Sequence, residues 1–157
     1  MTYLLLKWLH ILSATILFGA GIGSAFHMFL ANRQSDVAVI HAAARHVVLA
    51  DWLFTCPAVF LQLMTGLLLV QEQGYLLSEC WILGGLALYA FAGLCWLPVV
   101  WIQLQLRDMA RAALTNGTSL APRYHQLYRW WLILGSLAFP AIVVVFYLMV
   151  FKPECPL

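Results

Sequence analysis

Four stretches of the chain carry no Asp, Glu, Lys or Arg: residues 8–32, 52–71, 80–106 and 130–151. Each is at least as long as the roughly 20 apolar residues a helix needs to cross the hydrocarbon core of a bilayer. They predict four transmembrane helices, over about 4–31, 36–70, 80–106 and 122–151, the second and fourth starting outside the membrane. A transmembrane barrel would instead show many short segments alternating apolar and polar, and that period is absent. The expected fold is all-α, a four-helix transmembrane bundle forming a single membrane domain over 1–157.

Within the uncharged runs the polar residues are few and spaced. The second predicted helix carries Asp51, Thr55, Gln62 and Thr65, which at 100° per residue fall in one stripe. The third carries Gly85, Tyr89, Trp96 and Gln103, separated by four, seven and seven residues. The first carries His10, Ser13, Gly21 and Ser24 within roughly 60° of His10. Polar side chains are costly in hydrocarbon, so the stripes are expected to face a common bundle centre. Two roles stay open for them: packing, with small residues and hydrogen bonds joining helices, or the lining of a pocket for a cofactor or substrate. For Asp51 the expected partner is Arg107 or Arg33, in a structural ion pair.

The connections carry their own signals. Ser35-Asp36 is an N-cap pattern, with no helix breaker from there to His46. Pro57 should kink the second helix, because it lacks an N–H and clashes with the Leu53 carbonyl. Asn116-Gly117 marks a turn, and Pro122 can open the next helix. Arg123, Tyr124, Tyr128, Arg129, Trp130 and Trp131 form an expected interfacial belt.

Composition narrows the function classes. The 157 residues are 64% hydrophobic and 9% charged, with a net charge of +2. A soluble domain is about 45–50% apolar and about 25% charged. The chain is therefore not expected to be a soluble enzyme, a disordered protein or a nucleic-acid partner. Six of the eight basic residues, Arg33, Arg45, Arg107, Arg111, Arg123 and Arg129, lie in the two segments joining helices 1–2 and 3–4. Lys/Arg-rich connections stay cytoplasmic, so both termini are expected outside the cytoplasm, with Lys7 and Lys152 snorkelling to the interface. The first helix has too long an apolar stretch for a cleaved signal peptide.

Five histidines are many for so apolar a chain. His41 and His125 fall in connections and read as solvated. His27 and His46 lie near one end of their helices, where they can approach each other. His10 sits two turns inside the membrane and must be hydrogen-bonded, titrate, or ligate a metal or haem. Met64, Tyr147 and Met149 lie at suitable depths for a second ligand, Met149 being the preferred one. Cys56 and Cys95 read as small hydrophobes. Cys80 and Cys155 are both placed at the outer face, where a disulfide can join helix 3 to the tail. No C-x-x-C motif occurs.

The runs Leu6-Lys7-Trp8-Leu9-His10, Ala44-Arg45-His46-Val47-Val48, Asp51-Trp52-Leu53-Phe54-Thr55 and Cys95-Trp96-Leu97-Pro98 recur with Pro122-Arg123-Tyr124-His125 and Lys152-Pro153. Nearly end to end, the set resembles domain-of-unknown-function family 2269, predicted bacterial integral membrane proteins. The first helix is also similar to HemJ-type and CopD-type membrane proteins. The HemJ resemblance implies haem association for His10. The Lys those proteins carry early in the third helix has no counterpart in Cys80-Trp81-Ile82-Leu83-Gly84-Gly85, which sets the chain apart from protoporphyrinogen oxidation.

The expectation is therefore a multi-pass protein of the bacterial inner membrane, resembling HemJ-type proteins and binding haem b for a redox role. His10 and Met149 are its candidate iron ligands. Gln62, Tyr89 and Trp96 line the cofactor pocket, and Arg45 and Arg107 pair with propionates. Expected partners are the lipid bilayer, a quinone or porphyrin, and further copies of the chain in a homo-oligomer. The alternatives are a non-enzymatic scaffold or accessory subunit, and a component of a small-solute or metal permease.

Overall fold

The computed structural model describes residues 1–154. It is helical throughout, and its elements follow the uncharged runs. Helix α1 spans Thr2–Arg33. Helix α2 (Val37–Ala50) leads through a π-helical turn (Asp51–Thr55) into α3 (Cys56–Glu72), and together they make one membrane-length rod. Helix α4 covers Cys80–Asn116 and α5 covers Pro122–Phe151. Four rods are thus long and apolar enough to cross a membrane. At about 1.5 Å per residue the 37 residues of α4 exceed a hydrocarbon core of about 30 Å. Its last turns, with Arg107 and Arg111, project beyond that core.

Local chemistry explains the ends. Asp36 caps α2 by accepting the Ala38 N–H at 2.8 Å. Helix α4 stops at Gly117, whose φ of 63° is the left-handed conformation that glycine adopts without strain. Pro122 opens α5, where its missing N–H costs nothing. Pro57 does not break its rod. One turn upstream, the Cys56 N–H reaches back five residues to the Asp51 carbonyl. This widened turn accommodates the pyrrolidine ring that an α-helical turn would press against the Leu53 carbonyl.

The rods run antiparallel. The chain ends and the 73–79 connection share one end, the terminal end. The other two connections share the loop end. At the terminal end Lys152 donates to the Tyr75 hydroxyl at 2.9 Å and lies over the Tyr75 and Trp81 rings. Glu79 accepts the Trp81 indole N–H there at 2.7 Å. The densest packing is at the loop end, where Ala31, Ala43, Ala44 and Ala110 let backbones approach around Met28, Ile40 and Leu106. The aromatic run opening α5 is only partly a belt. Trp130 is exposed, but Tyr124 and Trp131 turn inward and are buried. Tyr124 donates to the Asn32 side-chain carbonyl of α1 at 3.0 Å.

Helix α5 packs along its length on α4. Its links to α1 are local: Phe18 meets Phe139 and Phe146 with ring centroids 5.0 and 5.6 Å apart, and Asn32 meets Tyr124. Between these two clasps α1 and α5 stand apart.

Candidate functional site: a network and a cleft

The three polar stripes do not meet in one place. They divide between a closed hydrogen-bond network toward the terminal end and a cavity nearer the loop end.

The network joins α1 to α3. His10 Nδ1 lies 3.0 Å from the Thr65 hydroxyl, and His10 Nε2 lies 3.0 Å from the Gln62 side-chain nitrogen. The Gln62 side-chain oxygen accepts the Ser13 hydroxyl. Thr65 in turn donates to the Leu61 carbonyl at 2.6 Å. Gly66 makes the approach possible, since a Cβ there would stand 3.1 Å from His10 Cε1. Ser13 and Thr65 are fully buried. Every polar side-chain atom of this quartet has a protein partner.

The cavity has a volume of about 510 Å³ and lies in the gap between α1 and α5. That volume is in the range of small-molecule sites, about 300–1,000 Å³. Its floor comes from the π turn and α4: Asp51, Thr55, Tyr89, Trp96 and Gln103. Its rim on α1 and α5 includes the exposed side chains Ile22 and Phe139. Lined mostly by apolar side chains, the cavity is a cleft that opens sideways, toward what is lipid in a bilayer.

Three polar atoms of cavity-lining residues are buried and lack a hydrogen bond of ordinary geometry: Asp51 Oδ2, Trp96 Nε1 and Trp131 Nε1. Asp51 Oδ1 accepts the Thr55 hydroxyl at 2.8 Å, and the Trp96 and Gln103 side chains face the same carboxyl group. Tyr89 is satisfied, donating to the Val59 carbonyl at 2.7 Å. Buried polar groups are paired in nine of ten cases or more. Asp51 and Trp96 stand opposite each other as acceptor and donor, which leaves Trp131 Nε1 as the buried donor with no polar group beside it.

Several expectations need correction. Asp51 does not pair with Arg107 or Arg33. Arg107 Nη2 sits 2.8 Å from Asp108 Oδ1, the adjacent residue, which offers a carboxylate without desolvation. Arg45 is exposed and, like Arg107, lies outside the cavity lining. Gln62 belongs to the network and not to the cavity. Tyr89 and Trp96 do line it. Trp131 was missed as a site residue because it was counted with the aromatic belt. Spacing gave no signal for it, since adjacent pairs on this helix such as Val143 and Val144 are both exposed. Cys56 and Cys95 are free thiols. The expected Cys80–Cys155 bridge involves a residue outside the described ones.

A haem iron needs a ligand nitrogen or sulfur facing a space that admits a porphyrin. His10 has both ring nitrogens engaged and does not line the cavity, which also lacks Met, Cys and any other His. Met149 packs over Gly85, its methyl carbon 2.7 Å from where a Cβ would stand. Among the described residues no three His, Cys, Asp or Glu side chains are gathered to hold a metal ion. In this arrangement the residues do not fit a haem.

The family model described as "Predicted integral membrane protein (DUF2269)" matches residues 4–153, and the chain belongs to that family. It is a multi-pass integral membrane protein. No curated protein and no solved structure matches it.

Proposed function

We propose that this protein is a membrane-embedded binding protein for a lipophilic small molecule, which enters the α1–α5 cleft from the bilayer and is held by its polar head. The observation that carries this is the laterally open cavity of about 510 Å³, apolar for most of its lining and carrying the polar side chains of Asp51, Thr55, Trp96 and Gln103 at its floor. The apolar rim suits a hydrocarbon tail, and the lateral opening supports exchange with lipid. The basic loop-end connections support a bacterial inner-membrane setting with both termini outside the cytoplasm.

Filling the cleft tests the reading. Gly93 lines the cavity, and a Cβ there meets nothing within 4 Å, so a Phe side chain introduced there can leave the backbone freely and fill the cavity. Native mass spectrometry of wild-type protein from its own membranes should reveal a small-molecule adduct that the Gly93→Phe variant lacks. A wild type without adduct, or an adduct retained by Gly93→Phe, overturns the proposal.

A further inference from the structure

We infer that His27 and His46 form a binding site for a divalent first-row transition-metal ion, of the Zn²⁺ or Cu²⁺ kind, at the loop end. The site is separate from the cleft proposed above and goes beyond that reading.

Helices α1 and α2 make a hairpin across the short connection 34–36, which brings the two histidines to one depth. Their ring centroids lie 5.8 Å apart, with 28° between the ring planes. A metal–nitrogen bond is about 2.0–2.1 Å, so two imidazoles on one ion have ring centres about 5–6.5 Å apart, from a tetrahedral to a linear bond angle. The observed separation falls inside that span. Both residues are exposed. Neither has a hydrogen-bond or ionic partner among the described residues; each ring has only the other beside it. All four ring nitrogens are thus available, and a turn of each side chain aims one nitrogen from each ring at a common ion. His10 is the contrast, with both of its nitrogens engaged in the network.

The surroundings leave room. A cavity of about 260 Å³ opens beside the rings, with Gly19, Ala20, Gly23 and Ala50 in its lining. Gly23 precedes His27 by one helical turn and Ala50 follows His46 by one, each on the same face as its histidine. Of this lining only Ser24 is shared with the α1–α5 cleft.

The donors select the ion. No Asp or Glu lines this cavity, whereas Mg²⁺ and Ca²⁺ call for oxygen ligands. No Cys or Met lines it either, so the sulfur ligands that favour Cu(I) are absent from it. Neutral imidazoles suit Zn²⁺, Cu²⁺ and Ni²⁺, and among these affinity should peak at Cu²⁺. Two protein ligands leave the remaining positions to water or a small ligand, so the ion is held in an open, exchangeable site.

The test uses the full chain without a polyhistidine tag, in detergent, with the metal chlorides as probes. Isothermal titration should show one saturable Zn²⁺ site per chain, tighter binding of Cu²⁺ there, and none of Mg²⁺. His27→Ala and His46→Ala should each weaken Zn²⁺ binding at least about 100-fold, because even an outer-shell partner of a metal ligand is worth about 10–100-fold. Thermal unfolding of the wild type should shift upward with Zn²⁺, as mass action requires of an ion that binds the folded state, and that of either variant should not. The electron paramagnetic resonance spectrum of bound Cu²⁺ should carry the hyperfine pattern of two nitrogens. The absence of a saturable site overturns the proposal. So does wild-type affinity retained by either variant, which places the ion on other groups, and so does Mg²⁺ binding equal to that of Zn²⁺. A wild-type Cu²⁺ spectrum with one nitrogen or none overturns it without any variant.

Discussion

The Thr65 hydroxyl lies 3.0 Å from His10 Nδ1 while directing its own hydrogen to the Leu61 carbonyl at 2.6 Å, so towards the imidazole it acts as acceptor. Nδ1 therefore carries the proton, and Nε2 accepts from the Gln62 amide. With the Gln62 amide nitrogen turned to Nε2, this arrangement matches an imidazole protonated on Nδ1 alone, its one lone pair used. A chain of donors runs from Ser13 through Gln62 and His10 to Thr65, and it ties α1 to α3 where little else polar does.

That chain predicts coupled stabilities. In a double-mutant cycle of His10→Ala and Gln62→Ala, thermal unfolding in detergent should give a coupling of about 0.5–2 kcal/mol, the range seen for hydrogen bonds between membrane helices. Additive effects would contradict the bond. Visible spectra of protein from haem-replete cells should contain no Soret band that His10→Ala removes. A band of that kind would show that His10 abandons the network for iron.

Two glycines should respond in opposite directions to the same substitution. At Gly66 a methyl group meets the imidazole at 3.1 Å, so Gly66→Ala should destabilise by about 1–3 kcal/mol, the usual cost of overpacking. At Gly93 the methyl meets open space, and Gly93→Ala should stabilise by about 0.5–1 kcal/mol through helix propensity. Denaturation midpoints in one detergent compare them directly.

Trp131→Phe separates stability from binding. It removes a buried donor that has no partner in the ligand-free protein while keeping the aromatic volume. The stripped variant should be more stable than wild type by about 1–3 kcal/mol, the cost of an unsatisfied group. Its native adduct should be diminished. Lower stability in the stripped state would mean that the indole N–H is bonded after all.

Topology is checked with fusions. On the proposed orientation, with the Arg-rich connections cytoplasmic, alkaline phosphatase joined after Lys152 should be active and green fluorescent protein at the same place dark. The reverse pattern would invert the membrane orientation.

Much of this architecture was legible because charge is so costly in hydrocarbon. The absence of Asp, Glu, Lys and Arg marked the four rods, and the few polar residues left among them marked the interior. Tyr89, Trp96 and Gln103 could be assigned to one face of α4 because it remains a single helix through Pro98. The stripe of Asp51, Thr55, Gln62 and Thr65 was visible, but its division was not. What each side chain meets depends on how far α1 leans away, and spacing along one helix carries nothing about that. The Asp51 partner was misjudged for a similar reason: depth suggested Arg107, but the nearest carboxylate to that side chain was the next residue in the chain. Trp131 was hidden by composition, as aromatic residues at a helix start usually anchor the interface.

The gap between α1 and α5 also changes the scale on which affinity counts. A molecule that arrives sideways is already dissolved in the membrane, so occupancy follows its mole fraction among the lipids, not its concentration in water. A hydrophobic compound present at one part in a few hundred lipids is far more concentrated there than any aqueous dose of it can be. The cleft therefore has no need to extract its ligand from solution. On the proposed reading it has only to distinguish one polar head from the surrounding acyl chains, and polar side chains such as Asp51 and Gln103 at its floor are suited to that choice.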